Sequence, residues 1–321
     1  MAYKIACLTP IKHIAGAWDN LSRLGEIDYK PHADYHDALL ACRQADIAFV
    51  NPNKMGYRID DYFLSHSSLH TVATASTGTN HIDLKAATTH GVKVISLTTE
   101  MSIIDRISST AEHALALTLA LVRNIPKAFD AVKNHEWDYQ PYIGRQMDKM
   151  TVGIIGGGRL GTKYSHYIRA MGSEVIYTDP NDDCIMYKSG CSGRVKLDEL
   201  LERSDIISLH VHLTEQTFQM VNDDFISKVN KLYLVNTSRG DIVNERAVID
   251  GLKDGNLKGY ATDVIVDEFG PIQDSDLIWA AKDGHNVIIT PHIGGMTTEA
   301  QEIAYNGVIG LLEKQLCTKS A

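Results

Sequence analysis

Short β-branched apolar runs alternate with amphipathic stretches along most of this chain. In the first hundred residues Ile5 to Leu8, Ile47 to Val50, Thr71 to Ala75 and Val92 to Ile95 read as strands, and stretches such as Tyr35 to Gln44 and Leu84 to Thr89 read as helices. That rhythm predicts an α/β domain with a mostly parallel sheet. It resumes after residue 150 with strand signals at Thr151 to Ile155, Glu174 to Thr178, Ile206 to Leu209, Leu232 to Asn236, Gly259 to Asp263 and Val287 to Ile289. Helical stretches at Leu197 to Arg203 and Glu245 to Lys253 lie among them, so a second, six-stranded domain is expected. After Pro291 a last helix is predicted, with Thr298 and Gln301 as a capping box and Ile303, Val308, Leu311 and Leu312 as its apolar face.

Two stretches break the rhythm. The segment from Ser108 to Arg123 opens with Ser109 or Thr110 as N-cap and then turns apolar almost all round. A helix of that kind is expected to be buried between two domains or against another subunit. Residues 126–150 are polar, with Trp137, Tyr139, Pro141 and Tyr142 among them, and read as an irregular crossing connection.

The strand signal at Thr151 to Ile155 runs straight into Gly156-Gly157-Gly158-Arg159-Leu160-Gly161, and a helix pattern follows at once. A strand, G-x-G-x-x-G and a helix form a βαβ unit of Rossmann type. Gly156 allows the tight bend, Gly158 lets the backbone approach a pyrophosphate, and Gly161 lets the helix lie against the strand. The helix N-terminus then offers free N–H groups to phosphate. Asp179, at the end of the next strand, stands where a carboxylate accepts hydrogen bonds from an adenosine ribose. Pro180-Asn181-Asp182-Asp183 comes next, with no nearby cation to meet a 2′-phosphate, so NAD is expected over NADP.

With 321 residues and 44% hydrophobic composition, the chain is long enough for two ordinary domains. The N-terminus lacks a signal-peptide pattern, and the most apolar stretch, Ala114 to Val122, is far too short to span a bilayer. Five cysteines without a C-x-x-C pair fit a reduced, cytoplasmic protein with no metal site. A formal charge of −9 argues against nucleic acid as partner.

Three residues stand just past strand signals of the second domain: Arg239, Glu268 and His292. In an open α/β sheet these positions face the ligand crevice. Reduction of a 2-oxo acid needs a cation on the carboxylate, which Arg239 can grip at two points. It also needs a proton at the developing alkoxide, which His292 can give and take back. Glu268, bonded to the other ring nitrogen, would fix the ring. Taken singly, an arginine after a strand is commonly a surface residue, a loop glutamate is commonly solvated, and a histidine after Thr-Pro can simply cap a helix. In the first domain, the loops Asn51-Pro-Asn53-Lys54 and Ser76-Thr77-Gly78-Thr79-Asn80-His81 follow strand signals, and the second can aim N–H groups at a carboxylate.

These residues resemble the NAD-dependent D-isomer-specific 2-hydroxyacid dehydrogenases. The resemblance rests on TGTNHID at 77–83, STAEHALAL at 109–117, VGIIGGGRLG at 152–161, LVNTSRGDIVNE at 234–245, ATDVIVDE at 261–268 and NVIITPHIGG at 286–295. It implies two Rossmann-like or flavodoxin-like α/β domains with parallel sheets and a cleft between them. Residues 1–101 plus 293–321 would form the substrate domain, and 102–292 the NAD-binding Rossmann domain, including a dimer-contact helix at 109–123. The implied catalytic set is Arg239, Glu268 and His292. Asn53, Lys54, Thr77, Gly78 and Thr79 would meet the substrate. The cofactor would meet Gly156, Gly158, Arg159, Leu160, Gly161, Asp179, His210, His212, Thr217, Thr237, Ser238, Asp263, His292 and Gly294. The chain departs from the family pattern at His212, which replaces a proline, at Phe269-Gly270, and in a longer segment at 97–107 that could border the substrate.

The resemblance thus implies an NAD(H)-dependent D-2-hydroxyacid dehydrogenase acting on a small 2-hydroxy or 2-oxo acid, cytoplasmic and homodimeric, with neither membrane nor nucleic acid as partner. Two other readings stand beside it. A D-3-phosphoglycerate dehydrogenase would need a second cationic site, for which Lys54 and Arg58 are at hand. A protein resembling the dehydrogenase-like corepressors would bind NAD(H) as a signal.

Overall fold

A computed structural model describes residues 3–52, 55–268 and 270–319. The chain falls into two compact units, one formed by residues 1–107 with 296–321 and the other by residues 108–295. These limits lie a few residues beyond the expected ones at 101/102 and 292/293.

The first unit holds a five-stranded parallel sheet: β1 (Tyr3–Cys7), β2 (Gly25–Tyr29), β3 (Ile47–Val50), β4 (Thr71–Thr74) and β5 (Lys93–Ile95), ordered β2-β1-β3-β4-β5. Strand β2 carries no strand signal in the sequence. Its residues, GEIDY, alternate between half-buried and exposed, as suits an edge strand, whereas the central strands β3 and β4 are buried at every position. One face of the sheet packs against Tyr305, Val308, Ile309, Leu312 and Leu316 of the helix Thr298–Lys319. The other packs against Ala38, Leu39, Phe63, Leu64, Ala86 and Ala87 of three short helices. The long helix starts from Thr297, whose hydroxyl accepts from Ala300 N at 3.2 Å, one residue before the expected cap at Thr298.

The second unit holds a six-stranded parallel sheet: β6 (Thr151–Ile155), β7 (Glu174–Thr178), β8 (Ile206–Leu209), β9 (Leu232–Asn236), β10 (Leu257–Thr262) and β11 (Val287–Ile289), ordered β11-β10-β9-β8-β6-β7. The winding reverses at β6, which pairs with β7 on one side and β8 on the other. That is the switch point of an open α/β sheet, where ligands bind beyond the carboxyl ends of the strands.

The apolar helix Ser109–Val122 packs its Ala111, Ala114, Leu117 and Leu121 on the sheet of its own unit and against the helix Arg159–Ala170. Its Thr118 hydroxyl lies 2.8 Å from the buried Tyr164 hydroxyl. The cap differs from the expected Ser109 or Thr110: the N-cap is Ser108, whose hydroxyl donates to Glu112 at 2.5 Å. Residues 126–150 are not irregular throughout. A helix runs over Ile125–Lys133, and 3-10 turns cover Gln140–Tyr142 and Met147–Lys149. Pro126 sits in the first turn of that helix, where its missing N–H is harmless.

Candidate active site

The turn after β6 is built by glycine where only glycine fits. Gly156 has φ 103°, and a Cβ there would stand 2.4 Å from the carbonyl oxygen of His210; at Gly161 a Cβ would stand 2.1 Å from the Gly156 carbonyl oxygen. Above Gly158 the space is open, with no heavy atom within 4 Å of a Cβ position. A pyrophosphate can therefore reach the backbone at the start of the helix Arg159–Ala170, where Arg159 and Leu160 form the first turn. Asp179 follows directly on β7 and is pinned to the turn: Gly157 N donates to it at 2.7 Å and Asn181 N at 2.8 Å.

Other residues expected around a cofactor divide into two groups. The Thr237 hydroxyl and Nδ1 of His210 are buried without a protein partner among the described residues, so each retains hydrogen-bonding capacity. Burial pushes His210 down to about 3, which keeps its ring neutral. The Ser238 hydroxyl is spent on the Leu209 carbonyl at 2.9 Å, and the Thr217 hydroxyl on the His212 carbonyl at 2.6 Å. These two shape the loops beyond β9 and β8. His212 is exposed.

Arg239, Glu268 and His292 sit beyond β9, β10 and β11 of the same sheet. Asn236, fully buried at the end of β9, donates to the Arg239 carbonyl at 2.9 Å and accepts from Ser238 N at 2.9 Å, folding the loop back on itself. Gly240 must follow, because a Cβ there would stand 2.2 Å from the carbonyl carbon of Ile265. Burial lowers the pKa of Arg239 while the Glu268 charge raises it; a guanidinium stays charged under both.

His292 Nδ1 lies 2.8 Å from a Glu268 carboxylate oxygen. That fixes the ring and leaves Nε2 as the nitrogen available to a substrate. His292 has φ 54°, in the left-handed region, and the surroundings hold it there. Its N–H donates to the carbonyls of Asp263 and Thr290, both at 2.9 Å. The Asp263 side chain, 2% exposed, accepts from Ile293 N at 2.8 Å, Gly294 N at 2.7 Å and the Thr290 hydroxyl at 2.6 Å, and pairs with His113 Nε2 at 3.3 Å. Burial pushes its pKa up, but those donors outweigh burial and hold the carboxyl below the usual range. Asp263 and Gly294, both expected at the cofactor, thus build the His292 turn. Sequence reasoning missed Asn236, His113 and Glu245, whose carboxylate accepts from Val266 N at 2.8 Å and steadies the approach to Glu268. The available signal for His113 was a titratable side chain, beside Glu112, in a helix that is otherwise mostly apolar.

In the first unit, Gly78 N donates to the Ser76 hydroxyl at 3.1 Å, and the Thr98 hydroxyl donates to the Thr77 carbonyl at 2.7 Å. The start of the 97–107 segment therefore braces the Thr77-Gly78-Thr79 turn, while Ile103 and Ile104 further along join the apolar core. Asn53 and Lys54 lie outside the described residues. Arg58 pairs with Asp83 at 3.6 Å. Among the described residues no group of three or more His, Cys, Asp or Glu side chains could hold a metal ion, and no helix is long and apolar enough to cross a membrane.

Residues 115–294 match a model of the D-isomer specific 2-hydroxyacid dehydrogenase, NAD binding domain. The chain is 38% identical to a D-3-phosphoglycerate dehydrogenase of Bacillus subtilis over 75% of its own length and 44% of the relative's. It is 34% identical to a putative 2-hydroxyacid dehydrogenase of Haemophilus influenzae, covering 72% of this chain and 73% of that one. Among solved structures, D-lactate dehydrogenase from Aquifex aeolicus, complexed with NAD and lactic acid, superposes with a TM-score of 0.82 at 27% identity, covering 98% and 96% of the two chains. The chain spans about half the length of the first curated relatives it matches.

Proposed function

From a chain that belongs to the D-isomer specific 2-hydroxyacid dehydrogenase family, we propose an NAD(H)-dependent enzyme that interconverts a small D-2-hydroxy acid and its 2-oxo acid. The observation that carries this reading is the 2.8 Å pair of Glu268 and His292, on the same sheet as Arg239 and as the open glycine turn at the switch point. Bound at that turn, a nicotinamide dinucleotide supplies the hydride. Arg239 grips the substrate carboxylate and polarises the adjoining carbonyl. His292 donates a proton from Nε2 to the oxygen as the alkoxide forms, and takes it back in the reverse direction. Glu268 keeps the ring in place and balances its charge. Asp179 accepts from the adenosine ribose, and Thr237 and His210 offer their unused polar atoms to the bound dinucleotide.

The test is loss of NADH absorbance with purified protein and a panel of 2-oxo acids that includes pyruvate, glyoxylate, hydroxypyruvate and 3-phosphohydroxypyruvate. Turnover of one fixes the substrate. NADH binding without turnover of any would favour a sensing protein and sink the enzyme reading. D-3-phosphoglycerate dehydrogenase is the second reading, favoured by the names of relatives up to 38% identical. It requires 3-phosphohydroxypyruvate to be the preferred member of the panel.

We further propose a homodimer, supported by apolar side chains left bare along residues 125–143. Trp137 is 91% exposed, Tyr139 78% and Ile143 73%. They lie in the segment that follows the helix Ile125–Lys133. Several large apolar side chains left bare in one short segment support an association surface there.

A further inference from the structure

The residues that follow Asp179 in sequence carry no arginine, yet the fold brings one back. Arg194 stands fifteen residues on, in a short extension that pairs with the end of β7: Tyr177 N donates to the Gly193 carbonyl at 2.8 Å, and Val195 N to the Tyr177 carbonyl at 2.9 Å. Its guanidinium donates to the carbonyl of Asp179 itself at 2.8 Å and pairs with Asp182 at 2.7 Å. Thr178, Asp179, Arg194, Val195, Lys196 and Glu199 line a cavity of about 630 Å³ at that point. An adenosine ribose held by the Asp179 carboxylate has its 2′ position beside this cavity.

Resting on the dinucleotide reading above, we infer that Arg194 is a cofactor-discriminating residue: a phosphate-competent guanidinium at the ribose end of the site, occupied by Asp182 so that NAD is taken and NADP refused. The charges around it are set against a 2′-phosphate as it stands. Asp182 pairs with the cation, the Asp179 carboxylate is held at the glycine turn by Gly157 N and Asn181 N, Asp183 pairs with Lys188 at 3.8 Å and Glu199 with Arg203. Lys196 lines the same cavity. A guanidinium has a planar fork of donors that matches phosphate, and one bound to the Asp179 carbonyl is already oriented. What withholds it is one carboxylate, 92% exposed and outside both the glycine turn and the catalytic set.

The experiment is fluorescence titration of the full chain with NADH and with NADPH, for the wild type, Asp182→Asn and Asp182→Asn/Arg194→Gln. Asp182→Asn is expected to tighten NADPH by about ten-fold or more, roughly one charge-assisted hydrogen bond, while NADH changes little. Adding Arg194→Gln is expected to remove that gain. Unchanged NADPH affinity in Asp182→Asn overturns the inference, and so does a gain that persists without Arg194. If the wild type binds neither nucleotide, the dinucleotide reading itself falls, an outcome distinct from the other two.

Discussion

Arg239 is half-buried, with its backbone carbonyl and the preceding loop clamped by the amide of Asn236. A lysine there would keep the charge but lose the fork, so Arg239→Lys is expected to lower kcat/KM for the preferred 2-oxo acid about a hundred-fold or more, with NADH affinity retained. Near-normal rates would move the carboxylate elsewhere. His292→Gln is expected to cost roughly 10²- to 10⁴-fold in kcat, the usual range for a positioned acid–base group. NADH binding measured on the same variant should stay intact, and an active His292→Gln enzyme would assign the proton to another side chain. At this scale the sequence was informative about chemistry and poor about support. Arg, Glu and His after strands are visible as residue types. That Asp263 spends its oxygens on the His292 turn is not visible, because its partners Thr290, Ile293, Gly294 and His113 come from two distant stretches of chain.

Among the elements, the helix Ser109–Val122 finds the burial its composition requires on its own sheet. Phe129, Trp137, Tyr139 and Ile143 are left outward in 125–143, a stretch that reads as irregular because Pro, Trp and Tyr interrupt its periodicity. Trp137→Asp combined with Phe129→Asp, both at exposed positions, is expected to convert a dimer to monomer in size-exclusion chromatography with light scattering. Unchanged mass would exclude this surface as the contact. The balance of burial and exposure also explains which strands were legible. Buried strands such as β3 and β9 are continuous apolar runs, whereas β2 at the sheet edge alternates and loses its signal.

For the whole molecule, two buried imidazoles set the response to acid. Burial holds His81 at about 4 and His210 at about 3, below the ordinary 6.5. Below pH 6.5 the unfolded chain takes up protons that the folded chain refuses. This part of the stability is thus complete above that pH and is lost as pH falls toward about 4. Urea midpoints measured across that window should fall with pH. His81→Asn should flatten the dependence, each proton removed being worth about 1.4 kcal/mol per pH unit. An equal slope in the variant would mean that His81 is protonated in the folded state.

The two units also differ in how the chain composes them. Residues 108–295 are one uninterrupted length, whereas the first unit starts at residue 1 and waits for residues 296–321. Its sheet is covered on one face by Tyr305, Val308, Leu312 and Leu316, the last side chains of that core to be made. Folding during synthesis therefore reverses the usual N-to-C order: the later-starting unit has all its residues first, and the earlier-starting one presents bare apolar strands until residues 296–321 emerge.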